Sequence, residues 1–461
     1  MKRLLCFLIF IFALNHFFAQ TENYTRTINN FQKQFNTADY NKIFESFSLE
    51  MKQALPINEN KEFLADLKSQ MGAIKSVEFK EYQQSTYAVY KTQFEKGVLA
   101  VNISLDAQNK INGLLINPYK DPSKVVNALA SYPKEIAELI YSTTRQFPEE
   151  TQLSIAVTQN GKTQYYGVLK HNDSVKSVQN QNKAFEIGSI TKVFTSTVLA
   201  SLVESKKIKL TDLINSYYSF SFKDHKNINF EELANHTSGL PRLPENLDVS
   251  NEINPYKNYH TKELEDYLKN LMKLASTTSK SFSYSNLGAG LLGYTLGLSQ
   301  KTTFQKLLQK TVFDQYGMTH SFTSTENLGN TLVKGHNATG ETVSNWDWDV
   351  LFGGGGIVST TEDLVKFANA QFDPANKELA LTRKPTFTVD KTTKIGLGWH
   401  IISTKNNKEI FYHNGGTGGY SSSMTMDMEN KTAVIILSNV SGINDSVDRL
   451  CFKLLGQADK K

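Results

Sequence analysis

Apolar residues in the first part of the chain recur in two different rhythms. Between Thr27 and Leu55, Phe31, Phe35, Ile43, Phe44 and Phe47 fall at helical spacing, and "EFLADLKSQMG" adds a second helix that Gly72 stops. From Leu99 the period becomes two. Leu99, Val101, Ile103 and Leu105 face one way, and Ala100, Asn102, Ser104 and Asp106 face the other. "DAQNK" then turns the chain, and Ile111 to Ile116 returns as the partner strand. Helices leading into antiparallel strands predict a small α+β unit over residues 21–119. "NPYKDPSK" (Asn117 to Lys124) holds two prolines and no apolar period, so residues 120–128 read as a linker.

A second unit is expected over residues 129–461. A helix running toward Arg145 precedes "LSIAVTQNGKTQYYGVLK", a strand, an Asn160-Gly161 turn and a returning strand. Helical and loop sequence fills the middle. Strand patterns come back at "GLGWHIIS", "EIFYHNGG", "YSSSMTMDM" and "TAVIILSN". A last amphipathic helix puts Val447, Leu450, Cys451, Leu454 and Leu455 on one face. Strands at both ends with helices between them predict an antiparallel sheet whose first and last strands pair around a helical insert.

The first twenty residues follow neither rhythm. Lys2 and Arg3 precede an unbroken apolar run from Leu4 to Leu14, which reads as an export signal cut after Ala19 or Gln20. The run is too short to hold the chain in a bilayer, so no stable membrane anchor is expected and the product is periplasmic or secreted. Cys6 would leave with the signal and lacks the small-residue setting of a lipid-anchored cysteine. That leaves Cys451, on the apolar face of the last helix, and no internal disulfide. Losing Lys2 and Arg3 takes the formal charge from +5 to +3, and no basic block is interleaved with aromatics, so nucleic acid is not an expected partner.

Three short stretches carry candidate chemistry. In "FEIGSITKVFTSTVLASLVES", Ser189 and Lys192 share one face of a helix whose Val193, Phe194, Val198, Leu199, Leu202 and Val203 make it broadly apolar. Ser189 is also a good helix cap, but capping does not account for a lysine on so apolar a helix. The same Ser-x-x-Lys spacing at Ser131–Lys134 contains Pro133 and opens no apolar helix. Tyr284-Ser285-Asn286 comes from a polar loop ahead of a helix in which Gly288, Gly290 and Gly293 permit close packing, unlike the Tyr-x-Asn patterns at Tyr256 and Tyr412. Finally, His413-Asn414-Gly415-Gly416 ends a strand with a glycine edge that a ligand can approach closely.

Other patterns are set aside. "GGGG" (Gly353 to Gly356) lacks the ending of a phosphate loop, and Ser359 to Glu362 reads as a capping box after a turn. His236 and Ser238 in "NHTSGLP" read as a turn, and Lys394-Ile395-Gly396 precedes a strand without a glycine edge. Neither a metal nor a cofactor is expected, for want of H-E-x-x-H, paired cysteines or an aspartate cluster.

Taken in order, Ser-x-x-Lys, Tyr-x-Asn and the glycine edge resemble the serine β-lactamase and penicillin-binding-protein superfamily, and most of all its class C branch. "ELANHTSGLP", "GGGGIVSTTEDLVKF" and "IGLGW" support the resemblance, and residues 21–119 resemble the NTF2-like modules attached to exported hydrolases. The resemblance implies an α+β domain, an antiparallel sheet with helices on both faces plus a helical insert. It implies Ser189 as nucleophile, with Tyr284 as proton shuttle and Lys192 as its electrostatic partner. Asn286 would hold the substrate amide or the Lys192 ammonium. Gly415 and Gly416 would form the substrate edge, and the N–H groups of Ser189 and Gly416 an oxyanion hole. The implied substrates are small peptides, amides or esters, peptidoglycan fragments among them. His413 stands where the family often has the lysine of Lys-Thr-Gly, which implies weak β-lactamase activity and a preference for uncharged esters or amides. A second reading keeps the fold as a non-catalytic sensor of wall fragments or β-lactams.

Overall fold

The computed structural model describes residues 22–83, 87–119, 121, 124–248, 254–275, 280–406 and 408–458. The expected export signal, Cys6 and part of "NPYKDPSK" lie outside the described residues. The chain divides into two compact units, Met1–Ser123 and Lys124–Lys461.

The first unit runs α1 (22–36), α2 (Tyr40–Glu45), α3 (Leu49–Ala54) and α4 (Ile57–Met71). An antiparallel meander follows: β1 (Ile74–Gln83), β2 (Tyr87–Phe94), β3 (Val98–Leu105) and β4 (Ile111–Pro118). The stretch that reads as one helix from Thr27 to Leu55 is broken twice. Asp39 caps α2 by accepting from Lys42 N, and Ser48 caps α3 by accepting from Met51 N. Phe31, Phe35, Ile43 and Phe47 still share one core with Val101 and Ile103. The opposite face of β3 is buried as well: Asn102 Nδ2 donates to Leu115 O at 3.0 Å, and Ser104 Oγ donates to Asn112 Oδ1 at 2.6 Å.

The second unit opens with β5 (Val126–Ala128), α5 (Lys134–Thr144), β6 (Gln152–Gln159), β7 (Lys162–Lys170) and β8 (Ser174–Val178). The insert holds β9 (Phe185–Glu186), α6 (Thr191–Glu204), α7 (Phe230–Ala234), α8 (Thr261–Asp266), α9 (Asn286–Ser299), α10 (Phe304–Leu308), β10 (Val358–Ser359), α11 (Thr361–Gln371) and α12 (Lys377–Thr382). Then come β11 (Phe387–Thr388), β12 (Thr393–Ile395), β13 (His400–Ser403), β14 (Glu409–Gly416), β15 (Ser421–Asp427), β16 (Thr432–Ser438) and α13 (Asn444–Ala458).

Among the described residues these strands form a ten-stranded sheet in the order β11-β12-β13-β14-β15-β16-β6-β7-β8-β5, antiparallel except where β5 joins β8 at the edge. The last strand pairs with the first long one, Ile435 opposite Ala156, so the insert leaves and rejoins a single sheet. β16 shows why both faces are covered. Ile435 and Leu437 belong to the core shared with the insert, whereas Val434 and Ile436 pack with Ile140 of α5 and Val447 and Leu450 of α13. Cys451 is fully buried in that second layer, which pushes its thiol up to about 12.

Candidate active site

Ser189 sits in a 3₁₀ turn, Gly188–Ile190, that joins β9 to α6. Gly188 has φ +52, and a Cβ there would come within 2.7 Å of Gly416 N. Glycine is needed on both counts. α6 itself begins after Ile190 and has no side-chain cap, so Ser189 does not serve as one, and its half-buried hydroxyl faces a cleft.

Every residue of α6 from Thr191 to Ala200 is buried, and Lys192 is only 2% exposed. Its Nζ donates to Gly354 O at 2.7 Å and to Asn286 Oδ1 at 2.9 Å, and lies 2.9 Å from Ser189 Oγ. Burial, and secondarily the Arg242 charge, hold the amine well below the ordinary lysine range. A neutral amine has two hydrogens and one lone pair. The two carbonyl oxygens can only accept, so they take the hydrogens, and the lone pair is left for the Ser189 hydroxyl.

Tyr284 reaches the same oxygen from the loop before α9. Ser285 fixes that loop: its Oγ accepts from Gly288 N at 2.8 Å and donates to Pro241 O at 2.6 Å. Asn286 N and Leu287 N both donate to Arg242 O, at 3.0 and 3.1 Å, tying "SGLPR" to the head of α9. Burial pushes the Tyr284 phenol up to about 12; its hydrogen bond with the Ser189 hydroxyl and the Arg242 charge pull the other way. Lys192 Nζ stands 4.9 Å, and Arg242 Cζ 5.4 Å, from the centre of the Tyr284 ring.

Three histidines surround this tyrosine. The rings of His236, His413 and His400 lie 4.6, 6.3 and 6.4 Å from it. His236 is a turn residue with φ +62, as its sequence context suggests, yet its buried ring packs on Tyr284 and Nδ1 accepts from Ser285 N at 3.2 Å. His413 is 1% exposed and does not line the cleft. On β14 the imidazole is buried, where Nδ1 donates to Asn414 O at 2.6 Å and Nε2 meets no partner among the described residues, while the flanking side chains reach α13: Asn414 Nδ2 donates to Asp448 Oδ2 at 2.7 Å and the Tyr412 ring lies 5.2 Å from that of Phe452. The expected contact of His413 with substrate is therefore replaced by a buried place beside Tyr284.

The cleft measures about 840 Å³. Ser189, Tyr284, Asn286, Gly415 and Gly416 line it, with Lys192 and His413 beneath. Of the two roles open to Asn286, the structure shows the bond to Lys192; its Nδ2 lies 3.4 Å from Tyr256 Oη. Sequence reasoning missed several wall residues. Asn444 Nδ2 donates to Gly415 O at 2.6 Å and steadies the glycine edge. Tyr256, stacked on Trp348 at 3.9 Å and 5.4 Å from Trp346, makes an aromatic wall. His400 and Arg242 complete it, each directly after a recognised motif, "IGLGW" and "SGLP", which was the available signal. "GGGG" contributes the Gly354 carbonyl, and the cap of α11 is Thr360, accepting from Asp363 N, one residue later than expected. Among the described residues no three His, Cys, Asp or Glu side chains are arranged to hold a metal.

Comparison with known proteins agrees with this arrangement. Residues 142–451 match the family model Beta-lactamase, and residues 29–114 match a protein of unknown function, DUF3887. A β-lactamase from Pseudomonas fluorescens is 29% identical over 280 residues, covering 58% of this chain and 75% of that protein. Protein flp from Staphylococcus aureus (strain N315) is 24% identical over 312 residues, covering 62% of this chain and 59% of its own length. Among solved structures, the β-lactamase/D-alanine carboxypeptidase from Pseudomonas syringae superposes with a TM-score of 0.58 at 20% identity, over 70% of this chain and 99% of that one. A class C β-lactamase from Rhodobacter sphaeroides gives 0.60 at 17% identity, over 71% and 99%. These likenesses at low identity speak for the fold; the family match, spanning more than half the chain and containing Ser189, Lys192, Tyr284 and His413, places the chain in the Beta-lactamase family of serine hydrolases.

Proposed function

We propose that the protein is an exported hydrolase that forms an acyl-enzyme on Ser189 with small peptide, amide or ester substrates. The observation that carries this reading is the Lys192 amine, buried, with two carbonyl acceptors on its hydrogens and the Ser189 oxygen 2.9 Å away. Lys192 is the base. It takes the Ser189 proton as Oγ attacks the carbonyl carbon. This reverses the division of labour drawn from resemblance, because burial lowers the amine and raises the phenol. Tyr284, kept neutral, relays the proton from the Lys192 ammonium to the leaving atom. Water then attacks the Ser189 ester, with the same amine as base. The N–H groups of Ser189 and Gly416, brought to one end of the cleft by the close approach of Gly188, would hold the oxyanion, each worth roughly 3 kcal/mol.

The N-terminal unit, with helices leading into a four-stranded meander, we read as an NTF2-like module that carries none of the proposed catalytic groups. The test is covalent labelling. A fluorophosphonate or a penicillin should mark the protein at Ser189, and Ser189→Ala should remove the mark. A protein that no acylating probe labels, D-amino-acid amides and short esters included, would be the non-catalytic sensor instead.

A further inference from the structure

We infer that Arg242 selects the substrate by pairing with a carboxylate on it, so that the cleft takes anionic acyl donors. The inference deepens the proposal of acyl transfer at Ser189 and rests on it.

Among the described residues the walls of the cleft are made of hydroxyls, amides, aromatic and aliphatic side chains and backbone, with no aspartate or glutamate, and Arg242 is the one described lining side chain that is cationic at every physiological pH. His400 shares the wall but stays neutral, since burial and the Lys192 charge push it down to about 4. An arginine at a protein surface commonly finds a carboxylate. Here no ion pair of Arg242 occurs among the described residues. Its partner is the face of the Tyr284 ring, 5.4 Å away, a contact that does not use up its N–H donors.

Position adds to charge. The Arg242 carbonyl accepts from both Asn286 N and Leu287 N, so the arginine is anchored to the head of the helix that also carries Asn286 beside Lys192. The Lys192 amine cannot substitute for it. Lys192 lies beneath the floor of the cleft with its hydrogens on Gly354 O and Asn286 Oδ1 and its lone pair toward Ser189 Oγ. His413, in the place of the family's lysine, is buried beneath the cleft, with burial holding its imidazole well below the ordinary range. Among the described residues a carboxylate in the cleft therefore meets one cation, and that cation is a planar fork suited to two parallel hydrogen bonds. The preference for uncharged substrates expected from His413 is reversed by a residue on another loop.

Pairs of aryl esters that differ only in a carboxylate against its carboxamide, placed on the acyl group in one pair and on the leaving group in the other, test this directly. The readout is the ratio of kcat/KM within each pair. In the wild type the carboxylate should be favoured by about tenfold or more in at least one pair. That preference should shrink as salt is raised and collapse toward unity in Arg242→Met. Removing the cation also lets the Lys192 amine rise, which moves the pH profile of both members alike and leaves the ratio as the informative quantity. Arg242→Gln gives the same readout should the methionine variant lose its fold. A ratio unchanged by either variant, in proteins still labelled at Ser189 by a fluorophosphonate, overturns the role of Arg242 and spares acyl transfer. Absence of labelling and turnover in the wild type overturns both.

Discussion

Lys192 and Gly354 are separated by 162 residues in sequence, and the Nζ of one donates to the carbonyl oxygen of the other at 2.7 Å. With Asn286 Oδ1 at 2.9 Å, that carbonyl determines which hydrogens of the amine are committed and where its lone pair points. The chemistry of Ser189 thus depends on a glycine turn that carries no functional side chain.

Replacing Lys192 by methionine keeps the volume and removes the proposed base. Acylation of Ser189 by an activated ester should slow by roughly 10²–10⁴-fold, the usual contribution of a positioned base. Stopped-flow or burst kinetics would check it. Tyr284→Phe should slow acylation less for an ester with a good leaving group than for an amide, because only the amide needs a proton delivered to its leaving atom. Equal losses on the two substrates would remove Tyr284 from the relay.

His236, His400 and His413 make stability depend on pH. All three are held below the ordinary histidine value of 6.5 by burial, His400 down to about 4. Between 6.5 and the folded value, the unfolded chain binds a proton that the folded chain does not, so stability is full above the unfolded value and falls on acidification. Each histidine should contribute a slope of up to about 1.4 kcal/mol per pH unit. Urea unfolding at pH 7, 6 and 5 should show stability declining, and the decline should be shallower in His400→Gln. An identical slope in that variant would mean His400 protonates freely in the folded protein.

Gly415 lies where the glycine edge meets the nucleophile turn. A Cβ on it would stand 2.0 Å from Ile187 O and 2.8 Å from Ser189 N. Gly415→Ala must push the edge away from the turn, at a cost of about 1–3 kcal/mol in stability. Acylation should fall at least as much as stability does, since Ser189 N would be displaced from the oxyanion position. A thermal melt beside a labelling time course measures both, and a variant that reacts at the wild-type rate would take Ser189 N out of the oxyanion hole.

His413→Ala separates support from selection. The ring is buried beside Tyr284 and His400, so its loss should lower stability by about 2–3 kcal/mol, the range for truncating a large buried side chain. Acylation should fall alike for anionic and neutral esters. A change in their ratio instead would return His413 to the substrate contact that the sequence suggests.

Much of this protein could be read along the chain wherever the information is local. Ser189 and Lys192 share a helix face because three residues make nearly one turn, and the run of apolar residues after them already implies burial. The Asn160-Gly161 hairpin, the apolar face of α13 and the pairing of terminal strands around an insert rest on the same short periods of 2 and 3.6. Tertiary structure decided what depends on groups meeting through space. A backbone carbonyl such as that of Gly354 has no residue signature. The inward turn of His413 follows from which face of β14 packs against the insert, and the pleat alone is symmetric between the two. The exchange of roles proposed for Lys192 and Tyr284 rests on burial, which lowers the amine and raises the phenol and belongs to the assembled domain. Arg242, one residue past a readable turn, came to stand over Tyr284 in the cleft wall, without an ion pair among the described residues, only through the tertiary fold.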